Sequence, residues 1–162
     1  MAYVARSHHA ASAILPSSDV NQGMDNEAAL KAAFEPVQFT MLFDGGGATV
    51  AASTRIGFLY KMPTMSINWW DIAEISTTPS AGCIVFDLWT CAPSDVGTVA
   101  SGNSIIGSGS KPVLTSGSFQ NGASPVGWTT ACIVQGQYII GRVFGASAGA
   151  KVPLTIVGTR AV

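Results

Sequence analysis

Charge is what this chain has least of: Asp, Glu, Lys and Arg supply 10% of its 162 residues, where an ordinary soluble domain carries about 25%. Interspersed charges keep a free-standing surface solvated and monomeric. So sparse a set implies that much of this surface is covered by something other than water, and the chain is expected to be a subunit of an assembly. Histidine stops at His9, so everything after it lacks the side chain most often used for proton transfer near neutral pH. The formal net charge is −1 and basic residues are scattered singly, which leaves no basic patch for phosphates and makes nucleic acid an unexpected partner.

Long apolar runs are missing as well. No stretch approaches the roughly 20 apolar residues that span a bilayer, and the first ten residues hold no signal-peptide core. The expectation is a product made in the cytoplasm of the producing cell, without a membrane partner. Cysteine is limited to Cys83, Cys91 and Cys132. An odd number without a CxxC spacing predicts free buried thiols rather than a disulfide framework or a zinc site.

What is present falls into two parts. Residues 1–36 hold both histidines and the acids Asp19, Asp25, Glu27 and Glu35, with a polar stretch over 17–23. They are expected to form an extended arm. Within it, 25–34 is the one helical pattern: Asp25 or Asn26 caps it, Ala and Leu favour it, and Pro36 stops it. So short a helix is marginal alone, and Leu30 and Phe34 are its candidate anchors on a partner surface.

From Val37 the period becomes two. Val37, Phe39, Met41 and Phe43 fall on one side with Gln38 and Thr40 on the other, the pattern of a half-buried strand. Asp44-Gly45-Gly46-Gly47 is then a turn. Further strands are expected over 54–61, 65–72, 82–89, 128–134, 137–144 and 152–160. The 82–89 run is almost continuously apolar and predicts a strand covered on both faces, with Asp87 inside it and in need of a hydrogen-bond partner. The two tryptophans of 65–72, Trp69 and Trp70, point to opposite sides. Residues 91–127 look like a long loop anchored by Ile105-Ile106 and Pro112-Val-Leu114, a length uncommon unless functional or crossing between sheets. About seven to nine short strands without a helical crossover predict an all-β fold, an antiparallel β-sandwich of jelly-roll type, over 37–162.

Chemistry finds little to work with. Asp71 and Glu74 are three apart and make no obvious acid pair. His8-His9 lack a third ligand at a usual spacing, and the Asp44 turn lacks the Lys-Ser/Thr ending of a phosphate loop. No catalytic residue, metal or cofactor is expected. Trp69, Trp70 and Trp89 are candidate glycan or interface contacts, because aromatics dominate subunit interfaces and offer flat faces to sugars.

Six motifs in one order then resemble a known family: Phe39-Thr-Met-Leu-Phe-Asp-Gly-Gly-Gly47, Thr54-Arg-Ile-Gly-Phe-Leu-Tyr-Lys-Met-Pro63, Ile84-Val-Phe-Asp-Leu-Trp89, Lys111-Pro-Val-Leu-Thr115, Gly127-Trp128 and Gly136-Gln137. Together they resemble a β-sandwich module of tailed-bacteriophage virion proteins, over roughly residues 37–160. Gln137 stands where that family often has an acid, and residues 1–36 match no part of it. The resemblance implies a homotrimeric structural protein of the virion, a head fibre, capsid decoration or short spike. Its N-terminal arm would attach it to capsid, collar or tail proteins. The alternative it implies is a receptor-binding tip module of a tail fibre that holds a host surface glycan.

Overall fold

The computed structural model describes residues 26, 35–75, 82–115, 119–123, 125, 127–147 and 149–161. The predicted helix over 25–34 lies outside them except for Asn26, which is helical and buried. Leu30 and Phe34 lie outside them too. Among the described residues no helix is long and apolar enough to cross a membrane.

Among the described residues nine strands form two antiparallel sheets: β1 Pro36–Asp44, β2 Arg55–Leu59, β3 Met65–Ala73, β4 Cys83–Cys91, β5 Val113–Thr115, β6 Phe119–Ala123, β7 Cys132–Ile133, β8 Tyr138–Ala146 and β9 Lys151–Arg160. One sheet runs β1-β9-β3-β6, with β7 also on β3, and the other β2-β8-β4-β5. The antiparallel pairs β1·β9, β2·β8, β3·β6 and β4·β5 are those of a long hairpin wound around itself, so the sandwich is a jelly roll, built of two interlocked Greek keys.

β1 shows why the sequence folds this way. Its outward residues alternate without a fault with buried Val37, Phe39, Met41 and Phe43, so a one-residue slip would turn the whole apolar set into water. Phe43 meets Phe86 of the opposite sheet at 4.8 Å between ring centroids, and Phe39 stands edge-on to Phe58 at 5.4 Å. These rings tie the two sheets together at the middle and the C-terminal end of β1. The Asp44 turn closes on itself when the Gly46 N–H donates to Asp44 Oδ1 at 2.8 Å. Gly46 and Gly47 take φ of 65° and 92°, where a side chain is strained.

β4 lies between β8 and β5, with Ile84, Phe86 and Leu88 in the main core. On its other face Trp89 and Cys91 form a smaller cluster with Val99 and Ile140. The apolar run is therefore covered on both sides, the second time by the chain that follows it.

Two elements differ from the sequence reading. Periodicity leaves 91–127 without a strand, whereas β5 and β6 lie inside it, one in each sheet. Each has few residues, and β6 (Phe-Gln-Asn-Gly-Ala) carries no apolar alternation because it borders the sheet and buries little. The strand expected over 128–134 shrinks to β7, since Trp128 to Ala131 run as turn and irregular chain that supports the loop: the Thr130 N–H donates to Ile105 O at 3.0 Å.

β3 carries a bulge. Its register on β9 shifts between Ile67 and Trp69, so Asn68 is the extra residue. Met65 and Ile67 are buried before it, Trp70 and Ile72 after it. Without the bulge, strict alternation would have put Trp69 inside and Trp70 outside.

Tyr60 sits fully buried just after β2 and donates its hydroxyl to Pro63 O at 2.9 Å. Burial, with Cys132 adding repulsion, pushes its phenol up from 10.0 to about 12. The unfolded chain therefore releases this proton first, and the stability that neutral Tyr60 contributes is complete below pH 10 and lost as pH rises toward about 12. Melting temperature is expected to fall across that window, and Tyr60→Phe should flatten the fall; an equal fall in the variant would contradict the assignment.

Candidate functional site

The outer faces of the two sheets differ. On β2-β8-β4-β5, Arg55, Arg142 and Asp87 are successive register partners across β2, β8 and β4. Two arginines directly opposite one another repel, and the Trp89 ring resolves this by accepting both, with guanidinium carbons 4.7 Å and 5.2 Å from its centroid. Each such contact is worth about 0.5–2 kcal/mol. The row continues through Phe144, which lies 5.9 Å from Arg142 Cζ and 5.2 Å from Lys111 Nζ.

Asp87 is 4% exposed and does find the partners its burial requires. Ser104 Oγ donates to its Oδ1 at 2.7 Å, the Leu88 N–H donates at 3.0 Å, and Lys111 Nζ lies 3.8 Å from Oδ2. Ser104 and Lys111 both belong to the long connection, and the Ile105 N–H donates to Leu88 O at 2.9 Å. The carboxylate thus works as a clamp that holds residues 104–111 on β4, with Ile105 and Ile106 seated in the core.

The outer face of β1-β9-β3-β6 is organised in rungs. Leu42 faces Pro153, and Ala73 faces Phe119. Since Ile72 pairs Leu154 on the neighbouring rung, these four make one apolar row across all four strands. Leu42 is 44% and Phe119 60% exposed, an arrangement that costs solvation unless a partner covers it. The next rung is polar: Thr40 pairs Thr155, with their hydroxyls 2.8 Å apart, Thr155 pairs Asp71, and Asp71 pairs Asn121. One rung further stands Trp69.

The three tryptophans singled out from sequence separate here. Trp69 is 41% exposed beside a cleft, whereas Trp70 at 8% and Trp89 at 2% are buried. Trp70 fills the space left by Gly122, where a Cβ would collide with its indole. Trp89 lies under the loop and between the arginines. Neither of these two rings is open to a ligand in the single chain, so of the three candidate glycan or interface contacts only Trp69 stands at the surface. Of the partners of Trp69 in its cleft, Asn68 and Asn121 were not singled out, and Asp71 was weighed only as half of an acid pair. Only the bulge and the unexpected β6 bring them together.

Cys83, Cys91 and Cys132 are free, Cys91 buried and the others half-buried. Burial, with Asp95 nearby, holds the Cys91 thiol above its usual range, which keeps it protonated and unreactive at neutral pH. Among the described residues no three His, Cys, Asp or Glu side chains approach closely enough to hold a metal ion.

No protein-family model matches the sequence, and no curated protein matches it. The core of Drosophila NLP, whose structure concerns pentamer formation and histone binding, aligns at TM-score 0.39 with 11% identity, over 79% of this chain and 100% of that one. A chain of infectious bursal disease virus, Gx strain, aligns at TM-score 0.23 with 16% identity, over 81% of this chain and 37% of that one. Likeness this weak assigns neither a family nor a function.

Proposed function

We propose that the chain is a structural subunit of a tailed-phage virion, a homotrimeric head fibre, decoration protein or short spike, and that its role is assembly rather than catalysis. The apolar row Leu42–Pro153–Ala73–Phe119 on the outer face of one sheet carries this reading. In a chain with 10% charged residues, such a row is best satisfied by the same row or a neighbouring face of another copy, apolar against apolar. Jelly rolls recur in viral capsid proteins and lectins, which agrees with the reading by analogy of fold alone.

The motif order over residues 37–160 supplies the phage context and the threefold assembly. Residues 1–36 are then the attachment segment, with Leu30 and Phe34 as its apolar anchors on a capsid, collar or tail protein. Gold-labelled antibody against the full chain should decorate purified particles at a fixed position on head, collar or tail. Particles that carry none of the chain by mass spectrometry would refute the virion role.

A further inference from the structure

The cleft beside Trp69 has a composition that subunit packing does not explain. It is a concavity of about 290 Å³ bounded by Asn68, Trp69, Asp71, Asn121 and Gly122, close to the lower end of the ~300–1,000 Å³ range of small-molecule sites. That is room for one ring with its substituents. Asp71 and Asn121 are register partners on β3 and β6, so their side chains stand side by side on the outer face. Asn68 is the bulge residue, which is how two neighbouring β3 positions, 68 and 69, come to border the same depression.

No hydrogen bond joins the side chains of Asn68, Asp71 or Asn121 to other described residues. Two carboxamides and a carboxylate therefore present two N–H₂ groups and four acceptor oxygens to the cleft, next to the exposed indole of Trp69. A flat apolar ring beside unpaired donors and acceptors at close range matches a pyranose, whose C–H face packs on an aromatic ring while its vicinal hydroxyls both donate and accept. Charge narrows the class. Among the described residues no Lys or Arg lines the cleft, and the one ionisable group there is the Asp71 carboxylate, which repels uronic and sialic acids and leaves phosphate without a counter-charge.

We propose that this cleft binds a neutral pyranose at the end or edge of a glycan, with Trp69 as the stacking surface and Asp71, Asn68 and Asn121 as the hydroxyl-reading groups. The site goes beyond the assembly role and does not require it. It lies on the polar side of the apolar row: the Asp71 rung is one step from that row and the Trp69 rung two, or about 13 Å along the strands. A neighbouring copy seated on the row leaves Trp69 at the rim.

The test uses the full chain and a panel of neutral sugars, glucose, galactose, mannose and N-acetylglucosamine with their oligomers, followed by saturation-transfer NMR and tryptophan fluorescence. N-acetylneuraminic and glucuronic acids serve as the charged comparison. Saturable binding of at least one neutral sugar is expected. Trp69→Ala should weaken it about tenfold, by loss of the stacking surface, and Asp71→Asn and Asn121→Ala by several-fold each. The native mass of all three variants should stay that of the unaltered protein. The proposal is overturned if no neutral sugar binds, if Trp69→Ala binds as before, or if the acidic sugars bind equally well. It is also overturned if Trp69→Ala lowers the assembled mass, because the indole would then be a subunit contact. A mass failure of the unaltered protein with sugar binding intact would strike the assembly role alone.

Discussion

Gly158→Ala is expected to destabilise the folded chain by about 3 kcal/mol, at the upper end of what an overfilled site costs. Gly158 faces Ile67 on the rung next to the β3 bulge. A Cβ there would collide with the Ser66 carbonyl oxygen and come within 2.9 Å of its carbon and 2.6 Å of Met65 Cε. Met65 is fully buried, and a main-chain carbonyl in a paired strand has no rotamer to escape into. β3 and β9 must therefore part at the place where the bulge sets which tryptophan faces the core. Denaturant midpoints give the readout. Gly97→Ala, where a Cβ meets no atom within 4 Å, is the control and should change stability by no more than about 0.5 kcal/mol. If Gly158→Ala is as mild as the control, the strands do not approach as described.

The double substitution Leu42→Asp with Phe119→Asp should have the largest effect on assembly. Both side chains are exposed in the single chain, so its folding stability is expected to change by less than about 1 kcal/mol. In the proposed assembly the same positions would face another copy, where an unpaired buried carboxylate costs several kcal/mol. Association should weaken about a thousandfold or more, since each 1.4 kcal/mol is a factor of ten, and dilute protein should run as single chains. An unchanged mass would move the subunit contact to another face.

The sequence carried the features that depend on local pattern. The alternation of β1, the two-sided burial of 83–91 and the anchoring of the long connection by Ile105-Ile106 all follow from where apolar residues fall. The need of Asp87 for partners was also legible, although Ser104 and Lys111 were not. Contacts made only by register stayed hidden. Arg55 and Arg142 are 87 positions apart and meet because β2 pairs β8, and the burial of Trp89 follows from their stacking on it together with the returning loop. β6 has no apolar pattern to announce it, so the Asp71–Asn121 pair and the Trp69 cleft could not be read in advance. The Asn68 bulge lies opposite Gly158 and Val157 of β9, a strand remote in sequence, and period-two reasoning has no means to see it.

The central claim is that other copies of the chain cover the apolar row, and sedimentation velocity of the purified full chain at low micromolar concentration tests it most directly. The account predicts a discrete species of three chains that persists on dilution. A single 16.6 kDa species, unchanged as concentration is raised, would contradict it.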